Sequence, residues 1–208
     1  MRSHSFGEQQ RLSPVDRFGV WLSKRSVRRH AGSLTGKHIG DFGSGYRATL
    51  SRSLATESAS VLTVDVSLDP TLNDVPKLQP LEGTLPDVLG SVADGSLDVV
   101  ICISVLEHLD QPEATLREFH RILRPSGVCV VNVPSWRGKR FLEFSAFRLG
   151  LSPVDEMNDH RRYYDPRDLW PLLVDAGFIP SNIRCFRHKF GMNTFARCRI
   201  SPVPDLQD

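Results

Sequence analysis

An acidic residue and two glycines lie close together in the segment Gly36–Ala48. Asp41 comes two residues before Gly43, and Gly45 follows after a single intervening residue. Because glycine has no Cβ, the chain can turn tightly here and a ligand can approach the backbone closely. The segment before the turn is predicted to be a short buried strand and a helix is predicted to follow, and the free N–H groups at a helix N-terminus attract polar ligands. The segment therefore predicts a ligand cradle between a strand and a helix.

A second carboxylate follows the next apolar run of the chain. Asp65 comes directly after residues 61–64, about 20 residues beyond the glycine-rich turn. A carboxylate at this place in a doubly wound fold can accept hydrogen bonds from both hydroxyls of an adenosine ribose. The alternative is an aspartate that only caps its own loop. Asp65 thus points to an adenosine-bearing ligand without choosing among such ligands.

The charge of Asp41 bears on the rest of the ligand. Read as G-x-G-x-x-A, residues 43–48 resemble the fingerprint of dinucleotide-binding folds, which taken alone is a weak signal. A carboxylate beside the turn repels a pyrophosphate and attracts an ammonium group. Asp41 therefore favours a ligand that carries an ammonium, with a dinucleotide as the second possibility.

Alternating strands and helices must position these residues. The runs 99–103 and 128–131 are continuous, apolar and rich in β-branched residues, which is typical of buried strands in a parallel sheet. The pattern predicts a doubly wound α/β fold, with a mostly parallel seven-stranded sheet between two layers of helices. Ligands of such folds bind beyond the carboxyl ends of the strands, which places Gly43, Asp65, Ser104 and Pro134 along one rim. The predicted strands are 37–42, 60–66, 77–81, 97–103, 128–134, 182–186 and 194–200. Four helices are predicted: one that begins at Pro14, one over 48–55, one over 113–123 and one from Asp165 to Gly177.

The length of 208 residues predicts one main domain. We assign residues 36–200 to it, residues 1–35 to a polar segment and a cap helix, and residues 201–208 to a flexible tail. Residues 1–12 are polar and are expected to be mobile. Residues 135–158 interleave basic and aromatic side chains, and an insertion of this length predicts a lid or a substrate element.

Composition limits the class of protein. The net charge is +2, and the four cysteines form no C-x-x-C pair, so we expect reduced core cysteines, no metal site and a cytoplasmic location. The longest apolar run, residues 99–106, is far shorter than the roughly 20 residues that span a bilayer. No secretory signal is evident at the start of the sequence.

The segment Ser96–Leu109, SLDVVICISVLEHL, resembles the fourth-strand segment of the class I S-adenosylmethionine-dependent methyltransferases, in their small-molecule, type 11-like branch. The D-x-G-x-G pattern of Asp41–Gly45 resembles the first motif of the same superfamily. The helix and turn up to Gly127 and the late segment His160–Tyr164 are also similar, so the likeness covers roughly residues 36–200. It implies a Rossmann-like methyltransferase fold and S-adenosylmethionine as the cofactor.

The resemblance also implies roles for individual residues. The first motif would hold the methionine end of the cofactor, the end of the second strand its ribose, the end of the third strand its adenine, and Ser104 would line the methyl-transfer site. The implied cofactor-binding residues are Asp41, Phe42, Gly43, Ser44, Gly45, Asp65, Val66, Glu82, Gly83 and Ser104. Arg47 departs from the pattern because the family usually has a third glycine there; its side chain either crowds the cofactor or leans outward.

The acceptor is less determined by the sequence. If it is a hydroxyl, a base helps to remove its proton, and histidine is suited to that role near neutral pH. His108 and His160 are the catalytic candidates, although either histidine could instead pack or cap. Arg137 and Arg140 in the predicted lid suit an anionic acceptor, since guanidinium groups pair well with phosphate or carboxylate. Tyr163 is predicted to line the acceptor pocket or to lie in the core.

We therefore expect methyl transfer to a small molecule, to oxygen before nitrogen or carbon. Nucleic acid is not expected as a substrate, because no D/N-P-P-Y/F-like motif follows strand four and no added basic domain is present. A short-chain nicotinamide oxidoreductase would need a Tyr-x-x-x-Lys pair, which neither Tyr163 nor Tyr164 provides. A non-catalytic, methyltransferase-like binding scaffold is the other alternative, and it is motivated by Arg47.

Overall fold

The computed structural model describes residues 5–8, 14–140 and 161–202, with side chains of the first helix from residue 21 onward. Within these ranges one sheet has seven strands in the order β3-β2-β1-β4-β5-β7-β6. β7 is antiparallel to both of its neighbours, and the other neighbouring strands are parallel. The predicted mostly parallel, seven-stranded sheet is confirmed. The strands are β1 (His38–Phe42), β2 (Ser60–Asp65), β3 (Leu78–Glu82), β4 (Leu97–Ile103), β5 (Leu123–Pro134), β6 (Ile183–His188) and β7 (Asn193–Arg199).

Helices cover both faces of the sheet. On one face, Val27 of α1 and Leu54 of α2 pack in a core cluster with Ile39 of β1. On the other face, Phe119 of α3 and Leu169 of α4 pack with the apolar side chains of the central strands. Burial of these apolar stripes is the main force that holds the helices on the sheet. The helices are α1 (Pro14–Ala31), α2 (Thr49–Leu54), α3 (Pro112–Ile122) and α4 (Pro166–Asp175), and none of the described helices is long and apolar enough to cross a bilayer.

The order of the strands reverses between β1 and β4. From β1 the chain builds outward through β2 and β3, then returns to place β4 on the opposite side of β1. In register, Phe42 is the partner of Val64 on β2 and of Cys102 on β4, so the three strands end at nearly the same level. Doubly wound sheets bind their ligands in the crevice at such a switch point. The topology therefore places the candidate site above β1, β2 and β4.

β5 differs from the prediction at its beginning. The expected strand began at residue 128, after a turn at residues 125–127, whereas the observed strand begins at Leu123. The pairing with β4 changes from Leu97–Leu123 to Val99–Val128, so residues 124–127 form a bulge within the strand. Ser126 lies in this bulge with a left-handed φ of 65°. The turn-forming residues are therefore real, but they interrupt the strand and do not precede it.

The predicted lid is described only at its start. Residues 136–140 are helical, and the following residues up to 160 lie outside the described ranges. His160 is among them, so its position relative to the site stays a prediction. The same holds for most of the predicted tail, since the described part ends at residue 202.

Candidate active site

The glycine-rich turn lies directly after β1. Gly43 and Gly45 both have a φ of +75°, a left-handed backbone that favours glycine. A Cβ on Gly43 would lie 2.0 Å from Cγ2 of Val105, the second residue after β4. The Val105 side chain therefore fills the space beside Gly43. The sequence suggested that a ligand would approach the backbone here, and that reason is wrong for Gly43. Gly43 is therefore required both by its left-handed backbone and by its tight packing against the segment after β4.

Asp65 lies beside this turn, as predicted. Its Oδ2 accepts a hydrogen bond from the backbone N–H of Gly45 at 2.8 Å, and its Oδ1 accepts one from the N–H of Val66, also at 2.8 Å. The backbone N–H groups of Gly43 and Ser44 both donate to the carbonyl of Val64, at 2.8 and 3.1 Å. The end of β2 therefore holds the turn in place, and the Asp65 carboxylate is at the centre of this contact.

Asp41 is more enclosed than the sequence suggested. It is 3% exposed, and its Oδ2 accepts a hydrogen bond of 2.6 Å from the hydroxyl of Ser51 on α2. Burial is the largest influence on this carboxyl and raises its pKa from an ordinary 3.8 to about 6; the Ser51 hydrogen bond opposes the rise and the charge of Asp65 adds to it. Such a carboxylate gains from a nearby cation, because its own negative charge is poorly solvated.

The raised pKa of Asp41 has a consequence for stability. As pH rises from about 4 to 6, unfolded Asp41 loses its proton before the folded residue does, so the free energy of unfolding falls and stays lower above pH 6. The substitution Asp41→Asn removes this ionisation, while its side-chain oxygen can still accept from Ser51. We expect Asp41→Asn to exceed the wild type in unfolding free energy by about 2–3 kcal/mol at pH 8, and by little at pH 4. Urea unfolding of both proteins across this pH range measures the difference, and a difference independent of pH would contradict it.

The predicted adenine segment is occupied by local contacts. Oε1 of Glu82 accepts a hydrogen bond from the N–H of Leu68 at 2.7 Å, so this side chain stabilises the loop after β2. The N–H of Gly83 donates to the carbonyl of Asp65 at 3.0 Å, and a Cβ on Gly83 would lie 2.7 Å from Val88. Glu82 is the register partner of Asp65, so the two segments adjoin. Adenine binding by Glu82 and Gly83 remains a prediction.

Arg47 is exposed to solvent, and its carbonyl accepts a hydrogen bond of 3.2 Å from Nε of Arg52 on α2. Ala48, which follows, is buried and adopts a left-handed φ of 44°. The chain therefore leaves the glycine turn with the small residue inside and the large one at the surface. This arrangement agrees with the outward of the two orientations considered for Arg47.

The segment after β4 forms the other wall of the crevice. Ser104 is exposed with a left-handed φ of 56°, and its N–H donates to the carbonyl of Asn132 at 2.7 Å. A non-glycine residue in this conformation costs roughly 1–2 kcal/mol and is frequent at functional sites. His108 ends the short 3-10 helix Leu106–His108 and is half-buried. The N–H of His108 donates to the carbonyl of Val105 at 2.9 Å, and the Val105 side chain packs on Gly43, so a single residue links His108 to the glycine turn.

The late segment returns to this wall. The N–H of Arg161 donates to the carbonyl of Glu107 at 3.0 Å, and the Arg161 side chain forms an ion pair with Asp110. A backbone hydrogen bond therefore joins Arg161, the residue after His160, to Glu107, the residue before His108. The structure thus brings together the two segments that carry the histidine candidates, although it does not describe His160.

Tyr163 is almost enclosed, at 8% exposure. Its ring lies 5.6 Å from that of Trp136, and Nζ of Lys139 lies 5.5 and 5.4 Å from the centroids of Trp136 and Tyr163. These distances permit cation–π attraction to both rings. Lys139 belongs to the insertion of basic and aromatic residues, and its contact with these two rings could not be predicted from spacing alone. The predicted substrate residues Arg137 and Arg140 are exposed at the start of the same insertion.

Residues 5–8 also lie at the site, which the sequence did not predict. Ser5 is 6% exposed, and its hydroxyl contacts the Asp65 carboxylate at 2.5 Å. The carbonyl of Phe6 accepts a hydrogen bond from the N–H of Tyr46 at 3.0 Å. Residues 5–8 therefore make defined contacts at the site, whereas the expected mobility of residues 1–12 stays a prediction. The contacts involve one hydroxyl and one carbonyl, and no apolar pattern in the sequence marks them.

The sequence model of a family described as a methyltransferase domain matches residues 21–179. The chain belongs to this methyltransferase family. It is 29% identical over 215 residues to the ubiquinone biosynthesis O-methyltransferase of Escherichia coli O6:H1, across 98% of this chain and 86% of that protein. It is also 26% identical to a probable S-adenosylmethionine-dependent methyltransferase of Mycobacterium tuberculosis, across 82% of this chain and 60% of the relative.

A solved structure shares this fold. A solved S-adenosylmethionine-dependent methyltransferase from Aquifex aeolicus matches with a TM-score of 0.60 and 16% identity, covering 91% of this chain and 100% of that one. The chain is therefore an enzyme that uses S-adenosylmethionine as its cofactor. This conclusion replaces the two alternatives considered from the sequence, an oxidoreductase and a non-catalytic scaffold. The rim fits this cofactor chemically. Asp65 lies beside the glycine turn and can accept hydrogen bonds from hydroxyl groups, and Asp41 is a buried acid on the strand that leads into the turn.

Proposed function

We propose that this methyltransferase methylates a hydroxyl group of a small molecule. The observation that supports this most is the place of His108, on the wall of the crevice that packs against the glycine turn through Val105. A histidine there is a suitable base for an acceptor hydroxyl at neutral pH. The relative from Escherichia coli is an O-methyltransferase by name, and its similarity over nearly the whole chain agrees with the proposal.

The chain's own residues divide the work between binding and proton removal. Bound S-adenosylmethionine supplies an electrophilic methyl group on a sulfonium, so the protein contributes mainly alignment. In the proposal, Asp65 accepts the ribose hydroxyls, the turn from Gly43 to Gly45 holds the methionine end, and Ser104 lines the side from which the acceptor approaches. His108 accepts the proton that the acceptor hydroxyl loses.

The acceptor is proposed to carry a negative charge. Lys139 stands over the rings of Trp136 and Tyr163, and Arg137 and Arg140 are exposed on the same short stretch. A cation above an aromatic platform and two guanidinium groups suit a carboxylate or phosphate attached to an aromatic or apolar body. The same residues extend from β5, whose end adjoins β4 at the crevice.

The proposal is tested by incubating the enzyme with methyl-labelled S-adenosylmethionine and a panel of small acceptor molecules. The molecules carry a hydroxyl, an amine or an acidic carbon, and each is supplied with and without a carboxylate. We expect the label on oxygen of a carboxylate-bearing acceptor, identified by NMR of the product. His108→Gln should lower kcat about 100-fold or more while leaving cofactor affinity nearly unchanged, the range for loss of a general base.

The matched control is His38→Gln. Nδ1 of His38 lies 2.8 Å from Oγ of Ser60 at the opposite end of the sheet, so this variant tests the loss of a histidine far from the crevice. Label on nitrogen or carbon would contradict oxygen as the acceptor atom. Equal rates for the wild type and His108→Gln would remove His108 from the mechanism.

A further inference from the structure

Residues 5–8 form a small closed turn, called here the N-terminal strap, on top of the cofactor rim. The N–H of Glu8 donates to the carbonyl of Ser5 at 3.3 Å, and Gly7 adopts a left-handed φ of 80°. The N–H of Ser5 donates to a carboxylate oxygen of Glu8 at 3.2 Å, which closes the turn a second time. The strap therefore has a defined local conformation that presents the Ser5 side chain towards β2.

The Ser5 hydroxyl makes the contacts expected of a ribose hydroxyl. Its oxygen lies 2.5 Å from Oδ1 of Asp65 and 2.5 Å from the carbonyl oxygen of Ser67, and it accepts a hydrogen bond from the N–H of Ser67 at 2.9 Å. A sugar hydroxyl at the end of β2 would likewise donate to the carboxylate. The residue is 6% exposed, so the hydroxyl is held in the site and does not lie on its surface.

Asp65 has too few acceptor positions to bind the Ser5 hydroxyl and both ribose hydroxyls at the same time. A carboxylate offers about four acceptor positions. In the structure Asp65 accepts from the N–H groups of Gly45 and Val66 and from the Ser5 hydroxyl. One position remains, whereas a ribose diol needs two. Both ribose hydroxyls can therefore bind only after Ser5 has left.

The strap also covers the glycine turn. The carbonyl of Phe6 accepts from the N–H of Tyr46 at 3.0 Å, and it lies 3.1 Å from the place of a Cβ on Gly45. The N–H groups of Gly43, Ser44 and Gly45 already donate to Val64 and Asp65, so the strap takes up the next N–H along the turn. Ser5 and Phe6 thus engage the ribose-binding carboxylate and the adjoining turn at the same time.

We propose that the N-terminal strap is an internal competitor for S-adenosylmethionine, in which Ser5 takes the place of a ribose hydroxyl and must be displaced when the cofactor binds. This inference rests on the proposed role of Asp65 in ribose binding. Its consequence is an apparent cofactor affinity below the intrinsic one, reduced by the fraction of molecules in which the strap is closed.

Calorimetric titration of S-adenosylhomocysteine into the wild type and Ser5→Ala tests the proposal. Removal of the hydroxyl that binds Asp65 should open the strap and tighten the dissociation constant about tenfold, since hydrogen bonds to charged groups are the stronger ones. Ser33→Ala is the matched control, because Ser33 is an exposed serine in the loop before β1, and it should bind like the wild type. Equal or weaker binding by Ser5→Ala would overturn the proposal.

Hydrogen exchange gives a second, independent test on the wild-type protein. Amides of the strap should exchange faster when S-adenosylhomocysteine is bound, because the strap has been displaced. Slower exchange would mean that the strap closes over the cofactor as a lid, which contradicts competition. If Asp65→Ala weakens binding and Ser5→Ala does not tighten it, the strap proposal fails alone; if Asp65→Ala binds normally, the ribose site itself fails.

Discussion

Asp65→Ala is expected to weaken binding of S-adenosylmethionine about 100-fold, the loss of roughly 3 kcal/mol. The carboxylate is proposed to receive both ribose hydroxyls, and hydrogen bonds to a charged acceptor are stronger than those between neutral groups. The substitution also removes the acceptor for the N–H of Gly45, so the glycine turn loses its anchor to β2. The effect therefore combines lost ligand contacts with a less ordered cradle.

Two further variants separate these contributions in calorimetric titrations. Asp65→Asn keeps one side-chain oxygen as an acceptor and should lose less affinity than Asp65→Ala. Asp74→Ala changes an exposed aspartate at the end of the 3-10 helix Pro70–Asp74 and should leave affinity unchanged. Wild-type affinity in Asp65→Ala would show that the ribose binds elsewhere.

Gly43→Ala is expected to lower the free energy of unfolding by about 3–5 kcal/mol and to abolish measurable cofactor binding. The added Cβ would meet Cγ2 of Val105 at 2.0 Å and Cγ1 at 2.9 Å, in a backbone conformation with a φ of +75°. Either the turn or the start of the segment after β4 must shift. Both are walls of the crevice, so stability and binding should fall together.

Gly36→Ala provides the control for backbone strain alone. Gly36 has a comparable φ of +69°, but a Cβ there would have no heavy atom within 4 Å. This variant should lose only about 1–2 kcal/mol, the cost of a left-handed alanine. Adding Val105→Ala to Gly43→Ala should recover part of the difference between the two glycine variants. If both glycine variants unfold with the same free energy, the Val105 contact does not control the turn.

Much of the fold could be predicted because its central strands carry a strong local signal. β2 and β4 are mostly apolar, β1 leads into the glycine-rich turn, and the observed bounds of all three strands lie within one residue of the predicted ones. The start of β5 was missed because proline, serine and glycine at residues 125–127 signal a turn, while pairing with β4 resumes beyond them. Local propensity does not show that a bulge will be bridged by long-range pairing.

The site, too, has parts that the strand pattern predicts and parts that depend on long-range contacts. That Asp65 would lie beside Gly45 followed from the common rim of parallel strands. The partner of Asp41, Ser51, depends on the rotation of α2 on the sheet, and the contact of Ser5 with Asp65 joins residues 60 positions apart. Single polar contacts of this kind leave no periodic trace in the sequence. The glycines were correctly singled out, but the packing of Val105 on Gly43 required the three-dimensional structure.

The most direct test of the account is a calorimetric titration of the wild-type protein with S-adenosylmethionine and, separately, with NADH. We expect one S-adenosylmethionine bound per chain with a micromolar dissociation constant, and no binding of NADH. Binding of NADH without S-adenosylmethionine, or of neither, would contradict the cofactor site built from Asp41, the glycine turn and Asp65.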